Sequence, residues 1–155
     1  KFVKYNLIDH GFLLNLLGIG DSTNSIVKEL LVDNAADLVD KGSLTEMVAG
    51  LELLKYMSPN ERHDLYYWQN LTRGTVSEVD YVLSRGIDIV PMEVKSGLRG
   101  SMASLYVFME KEHIKYAIRC SLENFGEFVS PKGKKILVNP LYAISNLFSC
   151  GERLL

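Results

Sequence analysis

The sequence contains little cysteine and no motif in which cysteine usually acts. Cys120 and Cys150 are 30 residues apart, and neither a CxxC pair nor paired histidines stand near them. A zinc site or a disulfide framework is therefore not indicated. We expect two reduced thiols in an intracellular, cytoplasmic protein.

An excess of either charge is also lacking. Seventeen Lys and Arg residues oppose nineteen Asp and Glu residues, which gives a formal charge of −2 and a pI near 5.9. Proteins that coat nucleic acid without specificity carry a clear basic excess, so that class is excluded. Contact with DNA or RNA would have to come from a local patch or from a separate domain.

Long apolar runs are absent as well. No segment is long enough to span a bilayer, and the first residues lack the apolar region of a signal peptide. No membrane partner is therefore expected. The 155 residues are enough for one domain with a substantial core. Because the chain begins at Lys1 rather than at methionine, we expect it to be either an expressed piece or a segment cut from a longer protein.

Hydrophobic periodicity divides this single domain into an N-terminal helical extension (1–42), a core (43–121) and a C-terminal hairpin with a helix (122–155). In the core, the pattern predicts a helix, three strands joined by short loops, a second helix and a fourth strand. Short loops favour an antiparallel meander, whereas the later helix permits a crossover to a parallel strand. The expected fold class is α/β, a mixed β-sheet in the order αβββαβ flanked by helices. The predicted bounds are 1–8 for a first strand and 12–17 and 25–39 for two N-terminal helices. In the core they are 43–57 for the first helix, 64–70, 78–84 and 87–96 for the three strands, 101–113 for the second helix and 114–121 for the fourth strand. Two further strands are predicted at 127–130 and 135–138, and a closing helix at 140–148.

Asp80 and the triplet Glu93-Val94-Lys95 form the most informative pattern. Residues two apart in a strand point to the same face, so Glu93 and Lys95 should project side by side. Asp80 lies on the neighbouring strand, within cross-strand reach if the register matches. Two carboxylates beside a lysine suit a hard divalent cation, which prefers oxygen ligands and keeps several waters. Such an ion can activate water and neutralise phosphoryl charge, and a lysine can stabilise the developing charge. The sequence therefore predicts a weak Mg²⁺ or Mn²⁺ site.

A third carboxylate is expected from the helix that precedes these strands. Glu46 shares a helix face with small and apolar residues, and a lone carboxylate on such a face is costly unless it meets a partner. Glu52 is the alternative, but its spacing indicates a solvated residue paired with Lys55. We therefore prefer Glu46 as the additional metal ligand.

Nucleotide-binding motifs are missing from the sequence. Around Gly133 the glycine spacing differs from that of a P-loop, and Lys135 stands where Ser or Thr is required. Gly18-Ile19-Gly20 lacks the third glycine of a dinucleotide site. No nucleotide cofactor is therefore expected on this segment.

Two further patterns favour structural roles over binding. The strand that contains Tyr66-Tyr67-Trp68 is typical of a core or its flank rather than of a base-stacking platform. The run Lys132, Lys134 and Lys135 favours a solvated turn over a loop that contacts phosphate.

The candidate residues also follow the order of a known family. Glu46, then Asp80 within Glu78-Val79-Asp80, then Glu93-Val94-Lys95, on an αβββαβ core, resemble the PD-(D/E)XK nuclease superfamily with its restriction-endonuclease-like core. More closely, the sequence resembles the uncharacterised C-terminal domain of many bacterial and archaeal AAA-type ATPases. The segments that carry this closer resemblance are Asp9-His10-Gly11, Gly42 to Glu46 and Tyr66-Tyr67-Trp68, and it extends over about 1–148.

The resemblance implies a role for each candidate residue. Mg²⁺ would be held by Asp80 and Glu93, with Glu46 as an auxiliary ligand or water-orienting carboxylate, and Lys95 would serve the nucleophilic water. It also implies an ATPase domain upstream in the full-length chain, and DNA as a further partner.

The pattern departs from the superfamily at three places. Val79 stands where proline is expected, and the helix predicted at 101–113 has no glutamine, although some relatives carry a Gln-and-Tyr motif there. Pro91 removes a backbone donor and predicts a bulge or an unpaired stretch in the third strand. These departures concern substrate handling more than the metal site.

Two functions are compatible with these observations. The first is a metal-dependent DNA nuclease module that hydrolyses phosphodiester bonds through Glu46, Asp80, Glu93 and Lys95. The second is a catalytically silent nuclease fold that acts as a DNA- or protein-binding scaffold, because a fold does not by itself determine an activity. A toxin-type nuclease is not separable from the first function on sequence alone.

Overall fold

A computed structural model of the chain describes residues 3, 4, 9, 41–60, 64–72, 75–98, 100–111 and 113–148. The helices predicted at 12–17 and 25–39 lie outside the described residues, as does most of the strand predicted at 1–8. Of Asp9-His10-Gly11, only Asp9 is described, and Cys150 also falls outside.

The described elements follow the predicted order of helix, three strands, helix and strand. The helix at 101–113 was predicted too long, because the structure has only seven helical residues there. The closing helix is a 3₁₀ helix with a break at Ala143 rather than an α-helix. The elements are α1 (Lys41–Tyr56), β1 (Tyr66–Thr72), β2 (Thr75–Arg85), β3 (Asp88–Val94), α2 (Ala103–Met109), β4 (Tyr116–Ser121), β5 (Gly126–Val129), β6 (Lys135–Pro140) and the 3₁₀ helix (Leu141–Phe148).

All six described strands form one mixed sheet in the order β1-β2-β3-β4-β6-β5. Strands β1, β2 and β3 are an antiparallel meander, and the turn between β2 and β3 is made by Gly86 and Ile87, with Gly86 at a φ of 61°. Strand β4 is parallel to β3 and to β6, while β5 runs antiparallel to β6. The predicted fold class, α/β with a mixed sheet flanked by helices, is confirmed.

The sheet separates two apolar clusters. Ala117 and Ile118 are adjacent in β4 and belong to different clusters, so the clusters lie on opposite faces of the sheet. The first cluster joins the sheet to α1 and the 3₁₀ helix through Ala49, Leu53, Tyr81, Leu83, Val90, Met92, Val94, Ile118, Cys120, Ile144 and Leu147. The second joins the sheet to α2 through Val79, Met102, Leu105, Phe108, Met109, Ile114, Ala117 and Ile136.

Strand β2 contains a β-bulge beside the predicted site. Tyr66 pairs with Val82 and Trp68 pairs with Val79, so two steps along β1 correspond to three along β2. As a result Val79 packs in the second cluster while Tyr81, two residues later, packs in the first. A bulge re-aims the side chains around it, and here it lies at Asp80.

Pro91 leaves the pairing of β3 with β2 continuous, since it lies opposite Val82 without a register shift. On the other side, the parallel pairing with β4 begins one residue later, at Met92. Pro91 therefore introduces no bulge, and its missing donor is accommodated where β3 has no ladder with β4. Within the described ranges, none of the helices is long and apolar enough to cross a membrane.

Candidate functional site

Asp80 lies where β2 and β3 separate. The regular pairing of the two strands ends at Tyr81 and Met92. Beyond that point Asp80 Oδ2 accepts a hydrogen bond of 2.8 Å from the backbone amide of Val94. The carboxylate thus takes the place of a ladder carbonyl, and this bond fixes it beside the end of β3.

Glu93 and Lys95 are paired at the same end of β3. Lys95 Nζ donates to Glu93 Oε1 at 2.6 Å, and the Glu93 side chain is only 7% exposed. The other oxygen, Glu93 Oε2, is buried and has no hydrogen-bond partner within the described part of the chain. Leaving a buried carboxylate oxygen unpaired is costly. Its position therefore fits a ligand or a bound water.

Glu46, Glu78 and Asp80 form a compact acidic group. One carboxylate oxygen from each lies within 4.8 Å of the others, which matches the span of a divalent-ion coordination shell. Glu46 comes from α1, and the Tyr81 hydroxyl ties α1 to β2 by donating to the Glu46 carbonyl oxygen at 2.7 Å. Of the four residues predicted from sequence, Glu46 and Asp80 are in this group. Glu93 and Lys95 lie next to it rather than within it.

Glu78 was missed by the sequence interpretation. Gln69 Nε2 donates to its Oε2 at 3.3 Å from the neighbouring strand. The signal was available, because Glu78 stands two residues before Asp80 in one strand. The same spacing relates Glu93 to Lys95.

Burial and crowding of negative charge raise the pKa of two of these carboxyls. The pKa of Asp80 is raised to about 7, first by burial and then by the negative charges of Glu93 and Glu46. The hydrogen bond from the Val94 amide and the positive charge of Lys4 lower this pKa but are outweighed. Burial also raises the pKa of Glu93, although the Lys95 ammonium opposes this effect. Such a cluster favours a cation, because a positive charge stabilises the ionised forms of all its members.

Lys4 supplies a positive charge to the acidic group. Its Nζ lies 2.7 Å from Glu46 Oε1, forms a second ion pair with Glu78, and lies 5.0 Å from the centre of the Tyr67 ring. Burial lowers the pKa of Lys4, but the hydrogen bonds and charges of the two glutamates outweigh it, so the pKa is raised. Nothing in the sequence pattern pointed to Lys4.

The side chain of Lys95 packs over Gly100. A Cβ at Gly100 would lie 2.8 Å from Lys95 Cδ and 3.2 Å from Cε. Glycine is therefore required here for the observed course of the lysine side chain. The Lys95 backbone amide also donates to the Cys120 carbonyl oxygen at 2.8 Å, which anchors it beside β4.

Arg119 on β4 holds the chain that follows Lys95. It is 5% exposed, and its Nη2 donates to the Leu98 carbonyl oxygen at 2.9 Å. Its Nε donates to Glu123 at 2.6 Å, and the Ser121 hydroxyl donates to the same carboxylate. Arg119 therefore fixes the position of the loop that carries Gly100, and the sequence interpretation missed this residue too.

Other candidate residues have structural contacts. Glu52 forms the predicted ion pair with Lys55. Trp68 packs edge-to-face on Phe108, with ring centroids 5.0 Å apart. Cys120 is a free buried thiol whose pKa is raised to about 12 by burial.

The basic run Lys132, Lys134 and Lys135 is engaged within the molecule. Lys134 Nζ donates to the carbonyl oxygens of Met109 and Lys111 at the end of α2. Lys132 and Lys135 form ion pairs with Glu110 and Glu127.

The arrangement suits a divalent cation with oxygen ligands. Glu46, Glu78 and Asp80 could hold the ion, with the unpaired Glu93 oxygen available for a ligating water or for the ion itself. Lys95 places one fixed ammonium beside these carboxylates.

No curated protein and no solved structure gives a significant match to the chain. Residues 41–144 match the family described as Domain of unknown function (DUF4143). The matched region extends from α1 into the 3₁₀ helix and contains Glu46, Glu78, Asp80, Glu93 and Lys95, whereas Lys4 lies outside it. Since this region makes up most of the chain, the protein belongs to the DUF4143 family.

Proposed function

We propose that this chain is a metal-dependent nuclease module that hydrolyses phosphodiester bonds in DNA, as in the PD-(D/E)XK superfamily that it resembles. The single observation that carries the proposal is the buried Glu93 carboxylate. One of its oxygens is paired with Lys95 and the other has no partner among the described residues, beside an acidic group of ion-binding size. A cation-binding site with an adjacent lysine is the minimum such a reaction needs.

The position of each residue in the site gives it a separate role in the proposed reaction. Glu46, Glu78 and Asp80 would hold Mg²⁺ or Mn²⁺, which supplies activation of water and neutralisation of phosphoryl charge. Glu93 would position a water molecule through its free oxygen. Lys95 would hold that water or stabilise the charge that develops on the phosphate. Gly100 and Arg119 act indirectly, by fixing the course of Lys95 and its loop.

The partner proposed for this module is an AAA-type ATPase domain in the same full-length chain, in the cytoplasm. This proposal rests on the resemblance described above, and the family match is consistent with it. The described residues form one sheet with its own core on both faces, which is the architecture of a separate module.

The direct test is cleavage of single- and double-stranded DNA with Mn²⁺. Lys95 is only 22% exposed and pairs with Glu93, so Lys95→Gln is preferred over Lys95→Ala, because glutamine keeps a donor for the glutamate. We expect a loss of about a hundredfold in cleavage rate, the usual effect of removing a charge-stabilising donor. Lys115→Gln, which removes an exposed lysine paired with Asp88, is the matched control.

The results separate the enzyme from a contaminant. Equal cleavage by wild type and Lys95→Gln would remove this site from the reaction. Thermal melts of all three proteins show whether a loss of cleavage reflects a loss of fold.

A catalytically silent scaffold is the second candidate, and one observation favours it. Lys4 already pairs with Glu46 and Glu78, so these two carboxylates share one positive charge from within the chain. Titration calorimetry with Mn²⁺ distinguishes the two candidates. The nuclease requires weak binding that is lost in Asp80→Asn and reduced in Glu93→Gln, which removes a negative charge beside the ion. A wild type that binds no metal and cuts no DNA, also when joined to its neighbouring domain, but still binds DNA or a protein partner, would establish the scaffold.

A further inference from the structure

We propose that Lys4 is the resident cation of the acidic group Glu46–Glu78–Asp80, and that it competes with the divalent ion for the same carboxylates. This inference rests on the proposed function and adds a regulation to that site: metal loading displaces the Lys4 side chain, and Lys4 thereby lowers the metal affinity.

The geometry makes the two cations mutually exclusive. The three carboxylates offer oxygens within 4.8 Å of one another, and opposite ligands of one Mg²⁺ or Mn²⁺ ion lie about 4 to 5 Å apart. The group therefore has room for a single central cation. Lys4 Nζ already contacts two of its three members, at 2.7 Å in the case of Glu46.

The contacts of Lys4 are those of a counter-ion. Its side chain is 30% exposed, and the two glutamates that it joins belong to different elements, α1 and β2. Lys4 itself is in neither a helix nor a strand. Among the described residues, no ladder of backbone hydrogen bonds includes Lys4, so its side chain can give way to a metal ion while the sheet stays intact.

The charges also explain why a resident cation is present. Without it, three carboxylates would face one another close to the buried Glu93, and like charges at this separation repel strongly. An ammonium supplies one positive charge where a divalent ion would supply two. Lys4 therefore stabilises the metal-free protein and lowers the apparent affinity for the ion.

A calorimetric comparison of four proteins tests the competition: wild type, Lys4→Met, Lys4→Arg and Lys55→Met, each titrated with Mn²⁺. Methionine keeps the apolar stem beside Tyr67 and removes the charge. Lys55→Met makes the same change in net charge on α1, at an exposed ion pair with Glu52. We expect Lys4→Met to bind Mn²⁺ about tenfold more tightly than wild type, within the usual range of coupling between two ligands. Lys4→Arg and Lys55→Met should stay close to wild type.

A second measurement covers the case in which Lys4→Met folds poorly. The rise in melting temperature on adding Mn²⁺ should be larger for Lys4→Met than for wild type, because binding to the folded state stabilises it.

Each outcome decides a separate point. Equal affinity in wild type and Lys4→Met, or weaker binding in Lys4→Met, overturns the competition and leaves the metal site standing. A gain that Lys55→Met shares equally assigns the effect to net charge and also overturns it. If none of the four proteins binds Mn²⁺, the proposed function and this inference fail together.

Discussion

The Asp80 carboxylate accepts a hydrogen bond of 2.8 Å from the Val94 backbone amide, at the point where β2 and β3 stop pairing. The Asp80 side chain thus supplies the acceptor that a paired strand would otherwise give to the Val94 amide. The same contact places the Asp80 carboxylate next to Glu93. One hydrogen bond therefore satisfies the amide at the end of β3 and also positions a carboxylate of the candidate site.

Replacing Asp80 separates these two roles. Asp80→Ala leaves the Val94 amide without an acceptor and should lower the free energy of unfolding by about 1 to 3 kcal/mol, the cost of an unsatisfied buried group. Asp80→Asn keeps an acceptor oxygen and should cost much less. Urea unfolding near pH 5 makes the comparison, since most Asp80 is then uncharged in the folded protein. Equal losses in the two variants would contradict the role of this bond.

The pKa of Asp80 predicts a pH dependence of stability. Its folded-state pKa is about 7 against an ordinary value of 3.8, so between about pH 4 and pH 7 the folded state binds more protons than the unfolded state. The free energy of unfolding contributed by this group therefore falls as the pH rises through that window. In Asp80→Asn this decrease in the free energy of unfolding with rising pH should be absent. Urea unfolding at about pH 5.5 and about pH 8.5 measures the difference.

The control for this pH effect is Glu110→Gln, which removes an exposed carboxylate outside the site. It should keep the wild-type pH dependence. A wild-type slope in Asp80→Asn would assign the effect to other groups.

Gly100→Ala tests the course of the Lys95 side chain. The added methyl group would lie 2.8 Å from Lys95 Cδ, so the lysine side chain must shift, and we expect this shift to displace its ammonium from Glu93. Misplacing a catalytic group by about 1 Å can cost up to a hundredfold in rate, and we expect a loss of at least about tenfold in DNA cleavage. Gly97→Ala is the matched control, because a Cβ there meets no atom within 4 Å. Equal activities in the two variants would show that the position of Lys95 does not matter.

Arg119→Met tests the support of the loop after Lys95. It removes the donor to the Leu98 carbonyl oxygen and the partner of Glu123. Because Arg119 is buried, we expect a loss of about 2 kcal/mol or more in the free energy of unfolding. Lys132→Met removes an exposed ion pair with Glu110 and should cost less than about 1 kcal/mol. Urea denaturation of both variants checks the difference.

Local patterns predicted the elements of the core and the pairing of Glu93 with Lys95, because strand periodicity and short loops are properties of neighbouring residues. Other features depend on distant contacts. The bulge in β2 reverses the alternation between Val79 and Tyr81, which no periodic pattern contains. Lys4 contacts a glutamate that is 42 residues away in the sequence. The end of α2 also has a distant contact, since Lys134 binds the carbonyl oxygens of Met109 and Lys111.

The central position of β3 has a consequence for the lifetime of the site. Strand β3 is bonded to β2 on one side and to β4 on the other, whereas β5 is an exposed edge strand with one neighbour. Amides of edge strands exchange with deuterium through small local openings, but those of a doubly bonded strand exchange only when most of the domain opens. Met92, the last residue of β3 with a strand partner on both sides, therefore belongs to the slowest-exchanging part of the sheet. Glu93 follows it directly, so this carboxylate is carried by backbone that starts from one of the most persistent points of the sheet.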